Sequence, residues 1–149
     1  MGNVVTPWVP WDFARRNGTQ GHGVNMQVVA DPAGNLLWIS PALPGRTHDL
    51  TAARTHRIIR ICERQGVPVL ADRAYIGAGP WVTTPIRRLP HQDLNPTQRT
   101  INRALSAARA PVEQSVARLK SWRIFRRSRC SPNRMSLIAA AVLTLERQR

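Results

Sequence analysis

The chain has 149 residues, with 22 lysines and arginines against 8 aspartates and glutamates, and its formal net charge is +14. That length suits one domain, and 2 cysteines are too few for a disulfide framework. The N-terminus lacks the features of a signal peptide, and no apolar run is long enough to cross a bilayer, so we expect a cytoplasmic protein. Lys120 is the only lysine. Because arginine binds phosphate through paired hydrogen bonds, the composition favours nucleic acid as a partner.

The first half of the chain shows the pattern of strands around one helix. Residues 1–21 are predicted to be an irregular N-terminal extension, because their tryptophans and prolines are scattered among polar residues. Residues 23–30 and 35–40 flank an Asp-Pro-Ala-Gly turn, which predicts an antiparallel hairpin. A helix is expected next, ending at Gly66. Residues 67–72 are nearly all apolar, which is typical of a strand buried on both faces.

The second half is predicted to be mostly helical. A helix begins at Asn95, with asparagine as its cap and proline in its first turn. Pro111 either kinks that helix or starts a new one. Residues 123–134 are predicted to be a basic loop or a short strand, and residues 135–147 a closing helix with an apolar face. Hairpin, helix and buried strand together predict an α/β fold.

Asp72 is the most informative of the eight acids, because it ends the buried strand. In open α/β sheets, functional groups collect at the carboxyl ends of strands, and a carboxylate on a rigid strand end suits a metal ligand or a base. The same position also suits an aspartate that caps the following turn. Both interpretations of Asp72 are open.

Glu113 has two interpretations as well. It lies two residues after Pro111 and four after Arg109. Its carboxylate can therefore interact favourably with the helix dipole and pair with that arginine. Alternatively, Glu113 and Lys120 share a helix face in a cationic tail, as expected for a metal ligand beside a nucleic-acid backbone. Mg²⁺ binds carboxylate and phosphate oxygens together.

The C-terminal third carries most of the positive charge. Residues 94–149 hold 12 lysines and arginines against 2 acids. Basic side chains neutralise phosphates, and the interleaved Trp122 and Phe125 could stack on bases or wedge between them. The predicted nucleic-acid contacts are Lys120, Arg123, Arg126, Arg127 and Arg129.

Three stretches in order resemble the DDE-type endonuclease domain of bacterial insertion-sequence transposases, of the insertion-sequence-five and Harbinger-like kind. They are HGVNMQVVADPAGNLLWISPALPGRTHDL, VPVLADRAYIGAG and RAPVEQSVARLKSWRIFRR. The resemblance covers about residues 22–145. It implies an RNase H-like α/β core, a mixed sheet with flanking helices. It also implies a nucleoid-associated bacterial enzyme that cuts and joins transposon-end DNA, with a homodimer as one assembly it allows.

The resemblance also implies a site and a cofactor. In that family three acids, Asp, Asp and Glu, hold two Mg²⁺ or Mn²⁺ ions, which activate a water or a 3′-hydroxyl for attack on a DNA phosphodiester. Asp72 in LADRAY matches the second acid, and Glu113 in APVEQSVARLK matches the third. Lys120 and the arginines after it match a stretch that contacts DNA. Asp49 in GRTHD matches a His-Asp signature; helix capping is its first interpretation and metal binding its second.

The front of the chain departs from the family. The family's first Asp lies on a strand before the hairpin, in an Asp-Gly-Thr-like context. Asn17-Gly18-Thr19 has Asn in place of Asp, and Asp12, the only acid upstream, lies in an unrelated context. We therefore predict a truncated transposase, in which residues 22–149 form a partial catalytic domain that lacks its first strand and has impaired or no activity. The rival hypothesis is a non-catalytic, basic nucleic-acid-binding protein.

Overall fold

The computed structural model describes residues 5–12, 23–127 and 130–148. Its described part contains one mixed sheet of six strands. The strands are β1 (Val5–Asp12), β2 (Val24–Ala30), β3 (Leu36–Ile39), β4 (Leu43–Pro44), β5 (Val69–Ala71) and β6 (Val82–Thr83). They are ordered β3-β2-β1-β5-β6, and β4 pairs with β2 at a separate position. β2 and β3 form the predicted antiparallel hairpin, and β5 is the predicted apolar strand.

Helices cover both faces of this sheet. They are α1 (Asp49–Thr55), α2 (Ile58–Arg64), α3 (Pro96–Ser121), α4 (Arg123–Arg127) and α5 (Pro132–Arg147). On one face, Met26 and Val28 of β2 pack with buried side chains of α3 and α5. On the other face, side chains of α1 and α2 pack with Val69 and Ala71 of β5. The domain is therefore a mixed α/β layer structure, as predicted. No helix in the described ranges is long and apolar enough to span a membrane.

The strand β1 corrects two expectations: residues 5–12, within the predicted irregular extension 1–21, form a strand, and the core does have a strand before the hairpin. β1 lies in the middle of the sheet, antiparallel to β2 and parallel to β5. Its register shifts between Thr6 and Val9 against β2, and between Val5 and Trp8 against β5. Pro7 falls inside both irregularities. Proline has no N–H to donate and is rare in central strands, which is why the pattern pointed away from a strand. Asn17-Gly18-Thr19 lies outside the described residues.

The helices differ from the prediction at two places, and at a third the structure decides a point that the sequence left open. The helix expected to run to Gly66 is broken in two, because Arg57 adopts a left-handed backbone with φ of 56°. The helix predicted from Asn95 is present with a complete capping box, and it continues through Pro111 without ending. The basic segment expected as a loop or short strand instead begins with the short helix α4.

Candidate functional site

Asp72 lies where the sequence predicts, directly after β5. Its Oδ1 accepts a hydrogen bond of 2.8 Å from the backbone N–H of Ala74, and it is the N-cap of a single 3₁₀ turn, Arg73–Tyr75. The turn-capping interpretation is therefore correct as geometry. It does not exclude a second role, since the side chain is only half-buried.

An open cavity of about 320 Å³ lies beside Asp72. The strand end contributes Asp72 and Arg73 to its lining, and α3 contributes Asn102, Ser106 and Arg109. The three α3 residues are spaced four and three apart, so they lie on one edge of the helix. The cavity thus joins the carboxyl end of β5 to one edge of α3.

Glu113 extends the same helix edge by one more turn. Its Oε1 lies 3.0 Å from a terminal guanidinium nitrogen of Arg109, which is the pairing that the four-residue spacing predicts. The Arg109 side chain is 11% exposed and that of Glu113 51%. The Arg109 Nε is buried and has no hydrogen-bond partner. Arg109 therefore connects Glu113 to the cavity that Asp72 lines.

The described side chains do not fit a two-metal centre. Among them, no group of three or more His, Cys, Asp or Glu residues could hold a metal ion. Asp72 and Glu113 supply two carboxylates, and the cation of Arg109 already pairs with the second. On β1, Trp8 pairs with Ala71, the residue before Asp72, and Asp12 at the end of the strand pairs with Asn25 of β2.

Asp49 does not cap α1, contrary to the first interpretation. The N-cap is His48, whose side chain makes no capping hydrogen bond, and Asp49 lies in the first turn. The Asp49 Oδ1 instead accepts a hydrogen bond of 2.7 Å from the Asn25 amide, which also donates to the Thr47 carbonyl at 3.0 Å. The capping prediction is therefore wrong, and the carboxylate's observed partner lies 24 positions away along the chain, where local spacing does not reveal it.

Asn25 belongs to a buried polar chain that sequence reasoning missed. Its Oδ1 accepts from the Gln27 amide at 2.7 Å, and the Gln27 Oε1 accepts from the Tyr75 hydroxyl at 2.5 Å. Asn25 is 2% exposed, and Gln27 and Tyr75 are fully buried. Polar residues at alternate strand positions normally indicate a solvated face, so the pattern pointed the wrong way. Buried polar groups need such partners.

The phenol of Tyr75 is exceptionally hard to ionise. Burial raises the pKa of Tyr75 far above its usual range, and the negative charges of Asp49 and Asp72 raise it further, against a smaller lowering by the Gln27 hydrogen bond. Both carboxylates therefore lie close enough to act on the same hydroxyl. The raised pKa keeps the Tyr75 hydroxyl protonated near neutral pH, so it can act as a hydrogen-bond donor.

The predicted DNA-contacting cations lie at and beyond the C-terminal end of α3. Lys120 and Arg123 are exposed, and Arg126 and Arg127 belong to α4; Arg129 lies outside the described residues. The neighbouring aromatic rings are not exposed in the way that stacking on nucleic-acid bases would require. Phe125 is fully buried in the core, and Trp122 packs against that core and donates to Glu146 at 2.7 Å. Stacking or wedging by Phe125 is therefore contradicted by its burial, while Trp122 is partly buried.

The comparison with known families identifies the class of this domain. A family model described as DDE superfamily endonuclease matches residues 12–147, and no curated protein and no solved structure matches. The chain belongs to the DDE superfamily of endonucleases. The resemblance drawn from its three sequence stretches is confirmed. The family implies DNA as the substrate class, and its members generally use divalent metals.

Proposed function

We propose that this chain is a transposase-type DDE endonuclease domain with an RNase H-like core, which binds DNA but is impaired in strand cleavage and strand transfer. The strand order supports the core, because an antiparallel β3-β2-β1 unit continues through β1 into the parallel strand β5. Helices on both faces support it further.

The observation that carries the proposal is that one cavity is lined by Asp72 and by Arg109, whose guanidinium pairs with Glu113. Asp72 and Glu113 are the second and third acids of the proposed site. Asp72 lies at a strand end, where α/β proteins place ligands, and Glu113 lies on α3. Arg73 and Arg109 add positive charge to the same space, which favours a phosphate group there. A divalent metal would supply Lewis-acid chemistry in an intact family member.

Two features support impairment rather than full activity. Among the described side chains, no third carboxylate joins Asp72 and Glu113 in a group that could hold a metal ion. Arg109 neutralises Glu113 from within the helix, so part of that carboxylate's charge is already compensated. A site with these two features binds divalent metal weakly, because the ion needs several anionic oxygen ligands.

DNA binding depends on different residues and is expected to survive. Lys120 is seven residues after Glu113, which places both near one helix edge, and Arg123 follows at the start of α4. Both cations are exposed. Neutralising phosphates with such groups releases counterions, and this makes binding depend steeply on salt.

The cleavage half of the proposal is tested with supercoiled plasmid and transposon-end duplexes in Mg²⁺ or Mn²⁺. We expect nicking by the natural chain to be no faster than nicking by the Asp72→Ala variant, which leaves DNA binding intact. Metal-dependent nicking that Asp72→Ala abolishes would show that the carboxylate set is complete and that the impairment is wrong.

The binding half is tested by the salt dependence of duplex affinity. Lys120→Ala and Arg123→Ala are each expected to reduce the slope of log affinity against log salt by about 1. Arg60→Ala, which removes an exposed arginine of α2, is the matched control and should leave the slope unchanged. Equal slopes for all three variants would remove α3 and α4 from the DNA-binding surface.

A further inference from the structure

We propose that Asp49, Asn25, Gln27 and Tyr75 form a relay of hydrogen bonds that positions Asp72. The proposal rests on the role proposed for Asp72 and gives Asp49 a positioning role in place of metal binding. It is carried by three consecutive side-chain hydrogen bonds, of 2.7, 2.7 and 2.5 Å, through a buried part of the domain.

The relay has a direction. The Tyr75 hydroxyl donates to Gln27, the Gln27 amide donates to Asn25, and the Asn25 amide donates to Asp49. An ionised carboxylate can only accept hydrogen bonds. Asp49 and the Thr47 carbonyl, which can only accept, together orient the Asn25 amide. The Asn25 amide orients that of Gln27, and the Tyr75 hydroxyl is left as the donor.

The last member of the relay is joined to Asp72 through the backbone. Tyr75 is the third residue of the 3₁₀ turn that Asp72 caps, and its own N–H donates to the Asp72 carbonyl at 3.2 Å. The Ala74 N–H between them holds the Asp72 carboxylate. Because Tyr75 is fully buried and bonded to Gln27, its side chain anchors the turn to β2.

The helix that carries Asp49 is also tied to the chain beyond this turn. Arg54 of α1 donates to the Gly77 carbonyl at 3.1 Å. The loss of the Asp49 carboxylate leaves this tie and the bond from Asn25 to Thr47 in place. Asp49→Ala removes the shorter of the two bonds that hold the Asn25 amide, so it is expected to loosen the relay while the domain stays folded.

The experiment follows the two ends of the relay in the full chain without DNA or metal. Tyr75 is the only tyrosine, so the tyrosine doublet in ultraviolet resonance Raman spectra reports its hydroxyl alone. Amide hydrogen exchange at Ala74, followed by nuclear magnetic resonance, reports the hold on Asp72. In Asp49→Ala we expect a weaker donor signature for Tyr75 and about fivefold faster exchange at Ala74.

Three further variants make the test specific. Asp49→Asn keeps an acceptor oxygen and should restore both signals to natural values. Asp93→Ala removes an exposed carboxylate that pairs with Arg88 and should change neither. Tyr75→Phe breaks the relay from its other end and should also speed exchange at Ala74. If Asp49→Ala does not fold, Tyr75→Phe tests whether the relay holds the turn that carries Asp72.

The proposal is overturned if Ala74 exchange in Asp49→Ala or Tyr75→Phe equals that in Asp93→Ala. It is also overturned if Asp49→Asn behaves like Asp49→Ala. These results are separate from the proposed function, which fails only in the plasmid and duplex assays. A relay that responds as expected beside a chain that does not bind DNA would keep the relay and reject the function.

Discussion

The two faces of the sheet place charged and polar groups in opposite ways. On the face covered by α3, the Arg109–Glu113 pair lines or adjoins an open cavity beside Asp72; we call this the cavity side. On the face covered by α1, Asn25 and Gln27 are buried and fully bonded to their neighbours; we call this the relay side. Both sides end at the turn that carries Asp72.

The difference separates groups that hold the fold from groups available to a ligand. A buried polar network is costly to break, because each lost partner leaves a desolvated group behind. In the Arg109–Glu113 pair the Glu113 carboxylate is half-exposed, so removing its charge should cost little, since water screens much of the attraction. Changes on the relay side should therefore reduce stability, and changes on the cavity side should leave the domain folded.

The largest expected effect is that of Gln27→Leu on the relay side. This variant keeps the bulk but leaves the Tyr75 hydroxyl and the Asn25 carbonyl without their partner. We expect the free energy of unfolding to fall by about 2–4 kcal/mol, measured by urea denaturation. Glu113→Gln on the cavity side is the control, with a change below about 0.5 kcal/mol. Equal losses for the two variants would abolish the distinction between the sides.

The next effect tests how α3 is held against the sheet. A Cβ at Gly34 would lie 2.7 Å from the Pro111 carbonyl oxygen of α3, and Gly34 also has φ of +87°. Gly34→Ala should therefore cost about 2–3 kcal/mol, from strain and close approach together. Gly77→Ala is matched to it, with φ of +89° and nothing within 4 Å. It should cost only the backbone part, about 1 kcal/mol.

The comparison of Gly34→Ala and Gly77→Ala has a clear opposite outcome. If the two variants lose equal stability, then Pro111 yields easily and the approach of α3 to the hairpin is not tightly held. Glu113, two residues later on α3, would then be free to move relative to Asp72. The difference between the two variants in lost free energy of unfolding thus measures how rigidly α3 is held against the hairpin.

A smaller effect concerns pH and His56, at the end of α1. Burial lowers the pKa of His56 below its usual value of 6.5, against a weaker opposite effect of the Pro41 backbone. The folded state then binds fewer protons than the unfolded state as pH falls below about 6.5. The contribution of the neutral His56 side chain to the free energy of unfolding is fully present above that pH and is lost on acidification.

Thermal unfolding between pH 7.5 and 5 is the measurement for His56. The natural chain should lose more of its midpoint temperature on acidification than His56→Gln does. His91→Asn, at an exposed loop residue, is the control and should retain the natural fall. A His56→Gln variant with an unchanged pH profile would contradict the cause given for it.

The sequence predicts those features that depend on local patterns. The hairpin follows from its turn residues, the start of α3 from Asn95 and the following proline, and the Arg109–Glu113 pair from four-residue spacing. Asp72 follows from its place after an apolar strand. Each of these requires only residues near one another along the chain, so single-sequence reasoning reaches them.

What the sequence could not show depends on residues distant along the chain. Gln27 and Tyr75 are 48 positions apart, and nothing in β2 indicates that its polar side meets α1 instead of water. β1 was missed for a related reason, because pairing with two neighbours stabilises a proline-containing strand that its own residues disfavour. Both errors arise where tertiary contacts override local preference.

The smallest expected effect is that of Arg109→Met on the cavity side. Methionine fills similar space with no charge, and it removes a buried Nε that has no partner together with a half-exposed ion pair. The two contributions oppose each other, so the free energy of unfolding should stay within about 0.5 kcal/mol of the natural value. A loss above about 2 kcal/mol would show that Arg109 is structural, like the relay residues. Unchanged stability together with weaker duplex binding would place Arg109 among the groups that face DNA. A buried arginine that adds nothing to stability is best explained by a role in binding the ligand.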